Sequence, residues 1–322
     1  MPGLSPGLPL PVTVLGGYLG AGKTTVLNHL LRHAGGQRIA VLVNDFGEIA
    51  IDAALIESRE GDVLALAGGC VCCSIGGDLV GALRDVVARR PGIHHVVIET
   101  SGVALPGAVA AAVTLVPGAA VDAIVVVADA TTVRARAQDR YVGDVVMAQL
   151  SEADLLVLAR RDLVDDAAAA ALGGWLASVA HLRAGTPIVE AVRGAVPPDV
   201  ILGLAGGMEP SAGAIRLGGR LRLTATGGRF AQVSRRLEHR HDPHRLAAAL
   251  AAPALGVLRA KAIVQDERGE AHVVQLAGAR CEVAPLGQAV PGSARTLGLA
   301  CIGLRGGLDE AAIDTALDAS RL

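Results

Sequence analysis

The stretch of this sequence best equipped for chemistry is Gly17-Tyr-Leu-Gly-Ala-Gly-Lys-Thr24, followed by Thr25. It fits the pattern G-x-x-x-x-G-K-[ST] and falls between a candidate strand and a candidate helix. Its glycines let consecutive backbone N–H groups turn inward around the oxygens of a phosphate chain, and the helix N-terminus adds positive potential. In that arrangement the Lys23 ammonium reaches the outer phosphates and the Thr24 hydroxyl ligates Mg²⁺. Lysine at this position is itself informative. Of the 29 basic residues only Lys23 and Lys261 are lysine. Where arginine serves almost everywhere, a retained lysine marks a place that needs a compact ammonium instead of a planar fork.

Three further stretches carry candidate chemistry, each just after a strand-like run. His95-Val-Val-Ile-Glu-Thr-Ser-Gly102 ends a buried run on an acid. Glu99 there can hold Mg²⁺ through water, and a flexible Gly102 beside the γ-phosphate can sense hydrolysis. Ala159-Arg-Arg-Asp162 stands where a base is read, and a carboxylate at Asp162 accepts two hydrogen bonds from the N1–H and exocyclic amine of guanine. Adenine offers no such pair. Gly68-Gly-Cys-Val-Cys-Cys73 sets Cys70 and Cys72 two apart in an extended turn, able to chelate one soft cation, Zn²⁺ at neutral pH or Cu(I). Asn44-Asp-Phe-Gly-Glu48 brings two carboxylates to the same sheet edge, and two thiolates plus Glu48 leave an exchangeable fourth position. His239-x-His241-x-x-His244 reads as a solvated turn before a helix, not a second metal site. Cys281 and Cys301 fall in strand-like runs and read as core.

Short β-branched runs at 12–15, 38–43, 62–66, 95–98, 123–128, 155–159 and 187–189 alternate with Ala- and Leu-rich stretches at 23–33, 78–89, 108–116, 139–149 and 166–180. Such alternation predicts an α/β fold with a mostly parallel, doubly wound sheet whose ligands gather at the carboxyl ends of the strands. The expected divisions are a disordered lead over 1–10, a nucleotide-binding domain over 11–204, a Gly-rich linker over 205–220, and a smaller α+β domain over 221–322. In that second domain, strands are expected at 221–226, 231–237, 256–265, 271–276 and 297–304, and helices at 244–252 and 309–320. Hydrophobic residues make up 52% of the chain, but no uninterrupted apolar run has membrane-spanning length. The N-terminus lacks a signal-peptide pattern, which predicts a cytoplasmic protein. A net charge of −2 gives no electrostatic case for nucleic acid or an anionic membrane.

Taken together these residues resemble the CobW-type family of P-loop metal-chaperone GTPases along nearly the whole chain. Gly20-Ala-Gly-Lys-Thr-Thr25, Asn44-Asp-Phe-Gly-Glu48, Gly69-Cys-Val-Cys-Cys73 and Glu99-Thr-Ser-Gly102 follow the family pattern in order and spacing. Asp242-Pro-His-Arg-Leu246, Arg259-Ala-Lys261 and Ala300-Cys-Ile-Gly303 look like its C-terminal domain. The resemblance implies an enzyme that binds GTP and Mg²⁺ through Gly20, Ala21, Gly22, Lys23, Thr24 and Thr25, and carries Zn²⁺, or in some members cobalt, to an apo-protein client. It maps the metal ligands onto Cys70, Cys72, Cys73 and Glu48, not all necessarily at once, and makes 44–48 a switch segment. Two departures stand out. The family's Asn-Lys-x-Asp is here Ala159-Arg160-Arg161-Asp162, and 205–220 lacks the His- and acid-rich stretch of many members. The leading expectation is GTP hydrolysis gating zinc transfer. A second is a binding module whose nucleotide and zinc states recruit a partner, such as a ribosome or stress factor, through the C-terminal domain. A third is an assembly factor for a cofactor enzyme, with the cysteines incidental.

Overall fold

A computed structural model describes residues 9–34, 37–43, 77–89, 92–178, 182, 185–203, 215–217, 220–223, 229–278, 280–286 and 297–322. Residues 44–48 and 70–73 and the expected strand at 62–66 lie outside them. The chain forms two compact units, one over Pro9–Leu202 and one over Gly203–Leu322.

In the first unit six strands form one sheet in the order β2-β3-β1-β4-β5-β6. They are β1 Leu10–Gly16, β2 Ile39–Val43, β3 His95–Glu99, β4 Ala119–Asp129, β5 Leu155–Ala159 and β6 Ile188–Glu190. Every pairing among them is parallel. β2, β3 and β5 are buried at every residue, as strands of a sheet covered on both faces must be. The helices are α1 Lys23–Arg32, α2 Gly77–Ala88, α3 Pro106–Val113, α4 Val133–Ala137, α5 Gly143–Ser151, α6 Asp166–Ser178 and α7 Pro198–Ile201. One core joins Val12, Val14, Val96 and Ile98 of the sheet to Leu83 of α2, Val113 of α3, Leu150 of α5 and Leu176 of α6. β1 is central, with β3 on one side and β4 on the other, so a ligand crevice opens at its carboxyl end.

Two helix starts differ from expectation for local reasons. α3 begins at Pro106, where a fixed φ and a missing N–H suit the first turn. The helix expected from 139 begins at Gly143, because the Asp139 carboxylate accepts from the amides of Tyr141 and Val142 and closes a turn there.

The second unit is a seven-stranded sheet in the order β12-β11-β10-β13-β9-β8-β7. Its strands are β7 Ile215–Leu217, β8 Arg220–Leu223, β9 Phe230–Arg236, β10 Val257–Gln265, β11 Ala271–Ala277, β12 Arg280–Pro285 and β13 Gly298–Leu304, with helices α8 Pro243–Leu250 and α9 Glu310–Ala319. All its pairings are antiparallel. Val233, Leu246, Ala260, Leu299, Cys301 and Ile313 share its core. Burial raises the Cys301 thiol to about 12, so it is an inert thiol. Cys281, half-buried on β12, packs beside that core. β7 lies within the segment read as a linker. β12 was not expected as a strand at all: Arg280, Glu282 and a closing Pro285 are tolerated because it pairs on one side only, with β11. His241 corrects the reading of a solvated turn. It is buried, and its Nδ1 is hydrogen-bonded with the Ser320 hydroxyl, 3.0 Å away. His239 and His244 are exposed, and Asp242 caps α8 through the His244 and Arg245 amides. No helix among the described residues is long and apolar enough to cross a membrane.

Candidate functional site

The loop between β1 and α1 is built on left-handed glycines, Gly17 at φ 134°, Gly20 at 72° and Gly22 at 100°. At Gly17 a β-carbon would stand 2.2 Å from the Val127 carbonyl oxygen, so the end of β4 itself requires glycine there. α1 begins immediately after Gly22 with no side-chain cap, the arrangement a phosphate-binding helix start requires. Lys23, 7% exposed, folds into the loop, its Nζ donating to the Gly17 carbonyl at 2.9 Å and lying 3.4 Å from that of Tyr18. The Thr24 hydroxyl donates to Glu99 Oε1 at 3.0 Å. Because Leu15 of β1 is in register with Glu99 of β3, the parallel pairing delivers the acid directly to the loop that follows β1. Gly20 is exposed on this loop, Ala21 is buried within it, and Thr25 is exposed in the first turn of α1. Lys23, Thr24 and Glu99 therefore stand together.

The loop after β5 borders the same glycines. Ala159 is buried, with its β-carbon 3.6 Å from where one on Gly22 would be. Its methyl group offers a base no hydrogen bond. Arg160 adopts a left-handed φ of 56°, uncommon for a side chain of this size, and its guanidinium is paired with Asp129 at the end of β4. Burial alone would raise the Asp129 carboxyl. The Thr131 hydroxyl and amide, and the Arg160 guanidinium, outweigh it and hold the group below the usual carboxylate range. Arg161 turns away, bound to Glu190, Asp166 and the Val164 carbonyl. Asp162 lies exposed in a 3₁₀ turn, Arg161–Leu163.

Gly102 also has a steric role. A β-carbon there would lie 2.6 Å from Leu19 Cδ2 and 2.7 Å from the Leu19 nitrogen, so its smallness serves close packing on the phosphate loop. Three contributors to this region were not legible beforehand: Asp129, Gln149 and Glu152. Asp129 had a signal, since it ends an apolar strand on an acid just as Glu99 does. Gln149 had a weaker one, a single amide beside Val146 and Leu150 on an apolar helix face.

The candidate metal ligands Cys70, Cys72, Cys73 and Glu48 lie outside the described residues. Among the described residues, Asp266, Glu270 and His272 cluster at the β10–β11 turn. There the Asp266 carboxylate accepts from the amides of Arg268 and Glu270 and contacts His272 Nε2 at 3.1 Å, which explains the cluster as a turn lock.

Similarity to known proteins follows the two units. Residues 11–190 match the family model described as CobW/HypB/UreG, nucleotide-binding domain, and residues 230–321 match that of the cobalamin synthesis protein cobW C-terminal domain. The chain is 38% identical over 226 residues to a protein of Pseudomonas aeruginosa named zinc chaperone CobW, covering 61% of this chain and 60% of that one. It is 35% identical over 170 residues to the zinc-regulated GTPase metalloprotein activator 1 of Schizosaccharomyces pombe, covering 50% and 41%. A crystal structure of Zn(II)-bound YjiA GTPase from E. coli aligns over 98% of this chain and 99% of its own, with 20% identity and a TM-score of 0.44. The matched region spans 60% and 64% of the length of two curated relatives, both named zinc chaperone CobW. With the nucleotide-binding model matched over more than half its length, the chain belongs to the CobW/HypB/UreG nucleotide-binding family.

Proposed function

We propose that this protein is a GTPase that carries zinc and releases it to a client metalloprotein under nucleotide control. The observation that carries the proposal is the joining of Thr24 to Glu99, with the Lys23 ammonium inside the glycine loop beside them. Two oxygen donors 3.0 Å apart suit Mg²⁺, a hard cation that keeps most of its water and takes few protein ligands. When bound, that ion would neutralise charge on the phosphate chain. Lys23 then provides a positioned charge for the oxygens that gain negative charge as the terminal phosphoryl group transfers to water. Gly20, Ala21, Gly22 and Thr25 complete the loop around the phosphates. The products are GDP and phosphate.

Guanine selection falls to Asp162, with Arg160 as a flat cation that Asp129 holds ready to stack on the base. A paired contact of the kind Asp162 makes is worth about 1–3 kcal/mol, by analogy with base reading in DNA. The chain is therefore expected to prefer GTP over ATP, with Asp162→Ala erasing most of the difference and Ala159→Asn sharpening it. Competition of GTP and ATP against a fluorescent guanine nucleotide measures this. Equal affinities in the unaltered chain, indifferent to Asp162→Ala, would remove guanine reading from the account.

Zinc is the cargo, held by Cys70, Cys72, Cys73 and Glu48 in changing combinations. Residues 44–48 follow β2, next to β3 and its terminal Glu99. A segment rooted there can answer to the γ-phosphate and supply or withdraw Glu48 as a ligand. Reciprocal linkage then gives zinc and GTP a coupling of about 1–3 kcal/mol, or 5–150-fold in affinity. Titration against a zinc-binding dye is expected to show tighter zinc in the presence of a non-hydrolysable GTP analogue than of GDP. Identical zinc affinity in both, or zinc binding that survives Cys70→Ala with Cys72→Ala, rejects nucleotide-gated carriage. Slow, zinc-insensitive turnover with tight partner capture would instead indicate recruitment through the C-terminal domain.

A further inference from the structure

The segment that leaves Glu99 is held from two directions. On the loop side, Gly102 packs against Leu19, the Thr100 amide donates to the Leu15 carbonyl at 3.0 Å, and Pro106 fits against Gly16, where a β-carbon would stand 2.9 Å from Pro106 Cγ. On the other side is α5. Gln149, 1% exposed, donates from Nε2 to the Gly102 carbonyl at 3.0 Å and to the Ala104 carbonyl at 2.9 Å, using both of its N–H groups. Glu152 lies three residues further on, on the same helical face. Its Oε2 accepts from the Gly107 amide at 2.7 Å, and a β-carbon at Gly107 would stand 2.9 Å from its carboxyl carbon. A carboxylate at the start of α3 also meets the positive end of that helix.

We infer that Gln149 and Glu152 form a two-point clamp that fixes 102–107 against the phosphate loop, making Gln149 a positioning residue for the part of the site that distinguishes GTP from GDP. The inference rests on the GTPase reading above. Gln149 does not touch nucleotide. It sets where Gly102 lies, and Gly102 abuts the loop that holds the phosphates. One amide bonded to two carbonyls two residues apart fixes a backbone more firmly than either bond alone. The same helix joins α4, whose own Arg136 lies over the Tyr18 ring at 4.9 Å, so the clamp and the loop share a second contact through α4 and α5. A shift of Gly102 on loss of the terminal phosphate is thus passed to α5 by hydrogen bonds.

The test compares affinities for GDP and for a non-hydrolysable GTP analogue, using fluorescent derivatives, in the full chain, Gln149→Met and Glu152→Gln. Methionine keeps the length of the side chain and removes both donors; glutamine at 152 keeps the shape and removes the charge. Gln149→Met is expected to weaken the analogue about tenfold, a typical size for coupling between sites, with GDP affinity within about twofold. Glu152→Gln is expected to act in the same direction by a smaller factor. A merely structural role would weaken both nucleotides alike, and that result overturns the clamp, as does an unchanged ratio in both variants. Should Gln149→Met fail to fold, Glu152→Gln decides alone. Failure of the unaltered chain to bind either nucleotide would instead overturn the GTPase reading, and the clamp with it.

Discussion

Lys23→Ala is expected to hydrolyse GTP about 10²–10³-fold more slowly than the unaltered chain, the usual cost of removing one charge-stabilising donor aimed at the transition state. The protein should remain folded, because the bonds lost are those of the ammonium to the Gly17 and Tyr18 carbonyls of the loop. Lys23→Arg is the sharper comparison. Arginine has replaced lysine at nearly every other basic position, so a generic need for positive charge would be met by it. Nζ lies 2.9 Å from the Gly17 carbonyl within a tight loop, where a planar five-donor fork has neither the shape nor the room. Arginine at 23 should therefore fail nearly as badly as alanine. Steady-state turnover with a thermal melt of each variant checks both statements, and near-normal turnover in a folded Lys23→Ala removes the loop from the mechanism.

The second large effect is structural. Gly17→Ala brings a β-carbon to 2.2 Å from the Val127 carbonyl oxygen and 3.1 Å from the Val127 nitrogen, on a backbone at φ 134°. Both neighbours are backbone of β4, so relief requires moving a central strand or the start of the loop. A loss of about 3 kcal/mol is expected, which in a unit of this size lowers the melting temperature by roughly 10 °C. Nucleotide binding should go with it. Gly20→Ala is the control. Its φ is also positive, at 72°, but nothing lies within 4 Å of the added carbon, so only the left-handed strain of about 1–2 kcal/mol applies. Equal destabilisation by the two variants would mean that the close approach of β4 to the loop is wrong.

The difference between these two glycines shows what reading along a chain does and does not reach. Gly17, Lys23 and Thr24 are neighbours in sequence, and their spacing alone announces a loop around an anion. β5 was read to the residue because Leu155–Ala159 is an unbroken apolar run between Asp154 and Arg160. Glu99 needed one more step, that strands adjacent in a parallel sheet end at the same edge. Nothing local marks Val127 as the atom group that forbids a side chain at 17. Gln149 and Glu152 find their partners 45 to 47 residues earlier in the chain, through a packing that periodicity does not encode. The late start of α5 had the same origin, since the Asp139 carboxylate makes bonds that compete with the helix. β12 escaped notice because an edge strand is free to carry charge.

The central position of β1 has a consequence for how this protein is made. Its partners are Val96–Glu99 and Ala119–Val126, so β1 has both of its neighbours only after more than 100 further residues have been synthesised. At about 5–20 residues per second, the apolar segment Leu10–Gly16 waits roughly 5–20 s on the ribosome before its sheet can close. Contacts this far apart also close slowly afterwards, since the chain entropy is lost before they are gained. The phosphate loop is thus among the earliest stretches translated and among the latest to acquire its shape. A nucleotide that binds only the closed sheet stabilises it by mass action, in proportion to the logarithm of its concentration over Kd. The level of free nucleotide in the cell would then govern how much of this chain matures, before any turnover takes place.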